Sequence, residues 1–191
     1  MSKVRRFADV EFRDFGEENR VEGVAAVFNQ ITDLGWFTEE IAPEAFDNTD
    51  MSDVVLNFNH NDDILLAGTR NGTLFLSVRE DGLHQSSSII DTTQGKDVMK
   101  LLRSGLISSM SFSFSIADGG EEWTRDGDKE HRIIRSISKL YDVSLVTFPA
   151  YPTTSAWARA NTDELADKHK ALMERRAEQD RRMKEILDGR Y

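Results

Sequence analysis

From Ser109 to Ile116 the chain alternates hydroxyl and apolar side chains with a period of two: Ser109, Ser111, Ser113 and Ser115 interleave with Met110, Phe112, Phe114 and Ile116. That period belongs to a β-strand, which sorts successive residues onto opposite faces. The segment therefore asks for a sheet with one apolar face on a core and one face lined with hydroxyls. Two readings of that second face stand side by side. Serines can satisfy themselves on neighbouring carbonyls and face water. The same geometry also holds a hydroxyl rigidly, as a nucleophile must be held to meet its base.

Two further segments read as strands that carry one chemically capable residue each. Val54 to His60 alternates so that Val54, Leu56, Phe58 and His60 share a face, which sets His60 at the strand end in line with core residues. In Leu140 to Tyr151, residues Leu140, Asp142, Ser144 and Val146 share a face, and an acid among apolar neighbours needs a partner, either His60 or a nearby arginine. A base, a nucleophile and an orienting acid make up the toolkit of a serine hydrolase.

The remaining pattern is also dominated by strands. Val21 to Gln30 reads as a buried strand, and Asn71-Gly72 and Asp81-Gly82 are hairpin signals that suggest an antiparallel meander from Val54 onward. Pro43 to Phe46 can start a short helix. Asp91 to Ser104 takes a helical period, with Val98, Leu101 and Leu102 on one face, Thr92 or Thr93 as cap and Gly105 as terminator. Asp118 to Glu130 reads as a long hairpin loop around Asp126-Gly127, returning through Ile133, Ile134 and Ile137. Three regions result: an arm or edge strand over 1–20, a core domain over 21–158, and a charged helix over 159–191. That last helix opens on an Asn161-x-x-Glu164 capping box, and its heptad seam is interrupted by polar residues.

Composition narrows the function classes. With 24 Lys and Arg against 34 Asp and Glu, the net charge of −10 argues against a general nucleic-acid binder. The charges over 161–191 balance at eight each, so all of that excess lies in residues 1–160. The absence of cysteine removes disulfides, thiol catalysis and thiolate metal sites. No apolar run approaches a membrane span or a signal peptide, so the expectation is a protein that stays in the cell that makes it, without membrane partner or cofactor. A metal site at His60, Asp62 and Asp63 is the alternative use of the histidine, although adjacent carboxylates on a strand point apart. The serine segment lacks the Gly-x-Ser-x-Gly elbow of the α/β-hydrolases.

Several stretches together carry a family resemblance. They are Asp81-Gly82-Leu83, Asp91 to Asp97 (DTTQGKD), Leu102 to Gly105 (LRSG), Met110 to Phe114 (MSFSF) and Asp142 to Tyr151 (DVSLVTFPAY). In that order and spacing, over residues 20 to 158, the chain resembles the prohead (capsid maturation) proteases of tailed bacteriophages. The resemblance implies an α+β, mainly β fold related to the herpesvirus assemblins: a small closed antiparallel β-barrel with surrounding helices and, here, a C-terminal helical tail. It implies His60 as base, Ser111 as nucleophile and Asp142 as third member. Two positions depart from the family pattern. Ser113 stands where a glycine is usual and is the rival nucleophile, and Asp142 stands where a glutamate is usual. The shorter acid either reaches the imidazole after a small shift or contacts it through water.

What the resemblance implies for function is a serine endopeptidase that cleaves the scaffold, the major capsid protein precursor and itself inside an assembling prohead, in the cytoplasm of a bacterial host of phage or prophage. The 159–191 helix is then a tether or a removable tail. Homodimerisation is left open, and oxyanion donors are sought among backbone amides near Ser111 or at Arg103. The competing readings are a noncatalytic β-barrel virion module and a metal-assisted hydrolase at His60, Asp62 and Asp63.

Overall fold

The alternating serine segment forms an eight-residue strand that runs through the middle of the protein. The structure, a computed structural model, describes residues 4–9, 13–14, 19–127, 129–147 and 181. In chain order the strands are β1 (Val4–Asp9), β2 (Arg13–Asp14), β3 (Arg20–Val27), β4 (Thr32–Asp33), β5 (Phe37–Ile41), β6 (Val55–Phe58) and β7 (Asn61–Gly68). They continue with β8 (Leu74–Arg79), β9 (Gly82–Ser88), β10 (Ser109–Ile116), β11 (Glu121–Asp126), β12 (Lys129–Ile134) and β13 (Ile137–Val146). A 3₁₀ turn spans Pro43–Phe46, and α1 spans Thr93–Arg103.

The fold is mainly β with one α-helix among the described residues. The strands make three hydrogen-bonded sheets, ordered β1-β10-β13-β6-β7, β11-β12-β5-β4 and β2-β3-β9-β8. Of the expected closed antiparallel barrel the mainly β content stands, and the all-antiparallel pairing is corrected. Among the described residues no ladder closes on itself, and two pairings, β13 with β6 and β12 with β5, are parallel. The physical reason for the parallel pairs is connection length: each joins strands separated by other elements, so the chain has room to return in the same direction.

One hydrophobic core unites the sheets, drawing Val21 and Leu83 from the β3–β9 sheet, Ile41 and Ile134 from the β5–β12 sheet, and Leu56, Phe112, Phe114 and Leu145 from the central one. Phe112 and Phe114 stack at 5.1 Å between ring centroids, and Phe112 meets Phe46 of the 3₁₀ turn at 6.2 Å. Burying a side chain of that size stabilises by roughly 1.5–3 kcal/mol, which is why the apolar half of the alternation holds its register. The hydroxyl half is not solvated: Ser109, Ser111, Ser113 and Ser115 are all 0–1 % exposed.

Local chemistry accounts for the helix and the turns. Thr92 caps α1 by accepting a hydrogen bond from the Gly95 amide at 3.0 Å, and Gly105 takes a φ of +73° just past its end. Val98 and Met99 are its buried side chains, whereas Leu101 and Leu102 are half-buried. The segment expected as one long loop after Asp118 is largely the β11–β12 ladder.

The two Gly-bearing turns differ from the meander expected of them. β8 and β9 do form a hairpin, but its two loop residues are Glu80 and Asp81, and Gly82 is already in β9. A Cβ at Gly82 would lie 2.1 Å from the Ala26 carbonyl oxygen, so glycine is demanded there by the approach of β3. Asn71-Gly72 makes a tight turn, with Gly72 at φ +70° and its amide donating to Thr69 O at 3.1 Å. It joins β7 to β8, which belong to different sheets, and so connects layers instead of closing a hairpin.

Candidate active site

Ser111, Asp142 and Ser144 meet on one face of the central sheet because β10 and β13 are antiparallel neighbours in which Ser111 pairs with Ser144 and Ser113 with Asp142. Cross-strand partners point to the same side of a sheet, so Ser111 and Asp142 stand diagonally across from one another, about 7–8 Å apart in backbone position. Further along β10 the register shifts after Ser113, so that Phe114 pairs with Leu140. Leu140 therefore joins the apolar face with Phe114. The expectation that it shares a face with Asp142 fails because a bulge intervenes at Tyr141.

His60 fills the diagonal. It does not end a strand in line with core residues, as the alternation suggested. β6 and β7 form an antiparallel hairpin that pairs Phe58 with Asn61, leaving Asn59 and His60 as a two-residue loop with φ of 54° and 55°. Positive φ at both positions is the mark of a type I′ hairpin turn, whose twist suits the flanking strands. Asn tolerates this conformation readily, and a histidine there carries a cost of about 1–2 kcal/mol. The turn swings the imidazole back over the hydroxyl face of the sheet.

There the ring bridges the other two residues. His60 Nδ1 lies 2.5 Å from Asp142 Oδ1, and His60 Nε2 lies 2.5 Å from Ser111 Oγ. A carboxylate can only accept, so Nδ1 carries the proton and Nε2 is left with its lone pair toward the serine hydroxyl. The contact with the acid is direct, which resolves the alternative left open by the shorter aspartate: no water intervenes. The whole constellation is buried, with side-chain exposures of 4 % for His60 and 2 % for Asp142, and with Ser111 at 0 %. Burial in low dielectric strengthens each of these bonds and keeps the imidazole from trading partners with solvent.

Ser113 lies on the same face but belongs to a different arrangement. Its Oγ is buried and makes no hydrogen bond among the described residues, whereas Ser111 Oγ is the hydroxyl that meets the imidazole. Asp62 and Asp63 sit on the exposed start of β7, both nitrogens of His60 are engaged elsewhere, and among the described residues no three His, Asp or Glu side chains cluster as a metal site would need. Arg103 lies in the last turn of α1 and is exposed. The backbone amides around Ser111 are directed into ladders on both sides, since β10 is flanked by β1 and β13.

Comparison with known proteins follows the same direction as the geometry. The profile of the caudovirus prohead serine proteases matches residues 8–169, a span that includes His60, Ser111 and Asp142. The chain belongs to that family. Among relatives of this prohead serine protease family member, the prohead protease of Enterobacteria phage HK97 is 28 % identical over 159 residues, covering 81 % of this chain. The chain spans 66 % of that relative's length. Among solved structures, the capsid assembly protease of bacteriophage T4 is similar with a TM-score of 0.47 and 10 % identity, over 75 % of this chain and 96 % of that one. No helix among the described residues of this family member is long and apolar enough to cross a membrane.

Proposed function

We propose that the chain is a serine endopeptidase of capsid maturation, with Ser111 as nucleophile, His60 as general base and Asp142 as the residue that orients the imidazole. The observation that carries the proposal is the unbroken run from Asp142 Oδ1 through both ring nitrogens of His60 to Ser111 Oγ, at 2.5 Å on each side. In the reaction Ser111 Oγ attacks a peptide carbonyl while His60 Nε2 takes its proton, and the same nitrogen returns that proton to the leaving amine. Water then repeats the sequence on the acyl-enzyme, and Asp142 stabilises the imidazolium in each half. Confinement with its substrates in a closed shell supplies a high effective concentration, so that turnover need not be fast.

The substrates proposed are the scaffold and the major capsid protein precursor, with the protease itself as a third, inside an assembling prohead in the bacterial host. This reading rests on family membership and on what the HK97 relative is named for. A barrel of the herpesvirus-protease type is the finer architecture proposed, supported by the packing of β3 against both β1 and β10 around the common core. The tether or removable tail over 159–191 belongs to the same proposal and lies outside the described residues.

Co-expression with the cognate capsid precursor tests the proposal. Wild type should process the precursor, and Ser111→Ala should leave it intact on a gel and by mass. Processing by Ser111→Ala at the wild-type rate, or none by wild type, overturns it.

A further inference from the structure

Ser144 is used by no step of the proposed reaction, yet it is fully buried and touches the turn that carries the base. Its Oγ accepts a hydrogen bond from the backbone amide of His60 at 2.8 Å and donates one to the carbonyl oxygen of Asn57 at 3.3 Å. Both ends of the hydroxyl are thus committed, and they are committed to the two sides of one hairpin: Asn57 is in β6, and His60 is in the loop that follows it. Register explains why the hydroxyl is there, since Ser144 is the cross-strand partner of Ser111 on one side and of Asn57 on the other.

We infer that Ser144 is the positioning residue of the catalytic base. It fixes the main chain of His60 in its left-handed conformation and thereby aims the imidazole at Ser111. The inference rests on the hydrolase reading above. A loop residue at φ 55° is held only where its surroundings determine it, because an extended or right-handed alternative is always open to a histidine. Other bonds anchor the neighbouring residue: the Asn59 amide donates to Leu145 O at 2.9 Å, and Asn59 Oδ1 accepts from the Thr147 amide at 3.1 Å and from the Thr147 hydroxyl at 3.4 Å. Ser144 is a side chain that holds the His60 backbone itself. The hydroxyl also ties the base to the nucleophile's strand neighbour, so the rung that aligns Ser111 aligns His60.

A Ser144→Ala variant deletes both bonds, and Ser144→Cys keeps the volume while offering the His60 amide a poor acceptor. Cys serves as the second variant where Ala does not fold. Both are measured in the full chain by precursor processing per folded protein and by the NMR resonances of the His60 amide and ring protons. The expected result is processing slowed about 10- to 100-fold, the usual consequence of a small misplacement of a reacting group, together with displaced His60 resonances. Wild-type processing with unchanged resonances in folded variants overturns the inference. A loss of processing that only tracks the folded fraction, with unchanged resonances, overturns it as well. Ser111→Ala runs alongside: if it processes like wild type, the hydrolase reading falls, whereas displaced His60 resonances in the Ser144 variants still report that this hydroxyl holds the turn.

Discussion

Ser111 and Ser113 are two residues apart on one strand face, and the difference between them lies in what each hydroxyl meets. Ser111 Oγ has the imidazole, whereas Ser113 Oγ is buried without a hydrogen bond among the described residues. Ser113→Ala should therefore leave precursor processing within about 3-fold of wild type and shift stability by no more than about 1 kcal/mol, since no bond is lost with the hydroxyl. Loss of processing in that variant would transfer the nucleophile's role to Ser113. His60→Ala should slow processing by about 10,000-fold or more, because members of such a unit fail together. Asp142→Asn should cost less than His60→Ala, up to about 10,000-fold, by presenting an amide to a ring nitrogen that needs an acceptor. Processing rates in the three variants, each set against its melting temperature, check these values. His60, Ser111 and Asp142 stood out in sequence as polar residues in apolar strand patterns, and it was the family resemblance that grouped them as one site. The turn geometry of His60 was not legible, since alternation extends a strand one residue too far when the pair Asn-His supplies positive φ in place of the usual Asn-Gly.

Between strands the controlling chemistry changes from catalytic groups to registers and buried charges. Alternation in 109–116 announced β10 and its two faces, yet the bulge that sends Leu140 to the core face depends on contacts between strands far apart in sequence. Asn71-Gly72 likewise specified a tight turn without specifying whether the strands it joins would pair. Arg132 is a further element that sequence concealed: it is 3 % exposed, its Nε donates to Glu39 at 2.6 Å and its Nη1 to Glu121 at 3.0 Å. Its guanidinium also lies 5.4 Å from the ring centroids of Phe37 and Trp123. In sequence it is one charge among the 30 % of residues that are charged. Arg132→Met should destabilise by about 3–5 kcal/mol in denaturant titration by stranding the buried Glu39 carboxylate, and Glu39→Leu added to it should recover most of that loss. On the same sheet, the hydrogen bond from Lys129 and then that from the Gly35 amide hold the Asp33 carboxyl below its ordinary value of 3.8. Its contribution is complete above that ordinary value and is lost as pH falls through the lowered one. The stability gap between wild type and Asp33→Asn, followed by denaturation at several pH values, should accordingly be full at neutral pH and close in acid.

All three sheets share one core, and this makes the fold a single cooperative unit. Trp36, just before β5, stacks at 5.7 Å on Trp123 of β11, in the β11-β12-β5-β4 sheet that carries none of the three site residues. In a Trp157→Phe background, their fluorescence and the loss of precursor processing should follow the same transition on heating, and two separated midpoints would show the sheets melting independently. A mainly β protein was readable from the periodicities, but the division into three sheets was not, because parallel pairing of β13 with β6 leaves no mark on either segment alone. That pairing has a further consequence in time. His60 is 51 residues from Ser111 and 82 from Asp142, and β13 is the strand that separates β10 from β6. Until it is inserted, the histidine and the serine belong to strands that have no common neighbour. At about 5–20 residues synthesised per second, a nascent chain carries its serine strand for a few seconds before Asp142 exists. On the proposed function, the serine, the base and the acid come together only when that strand pairs between β10 and β6.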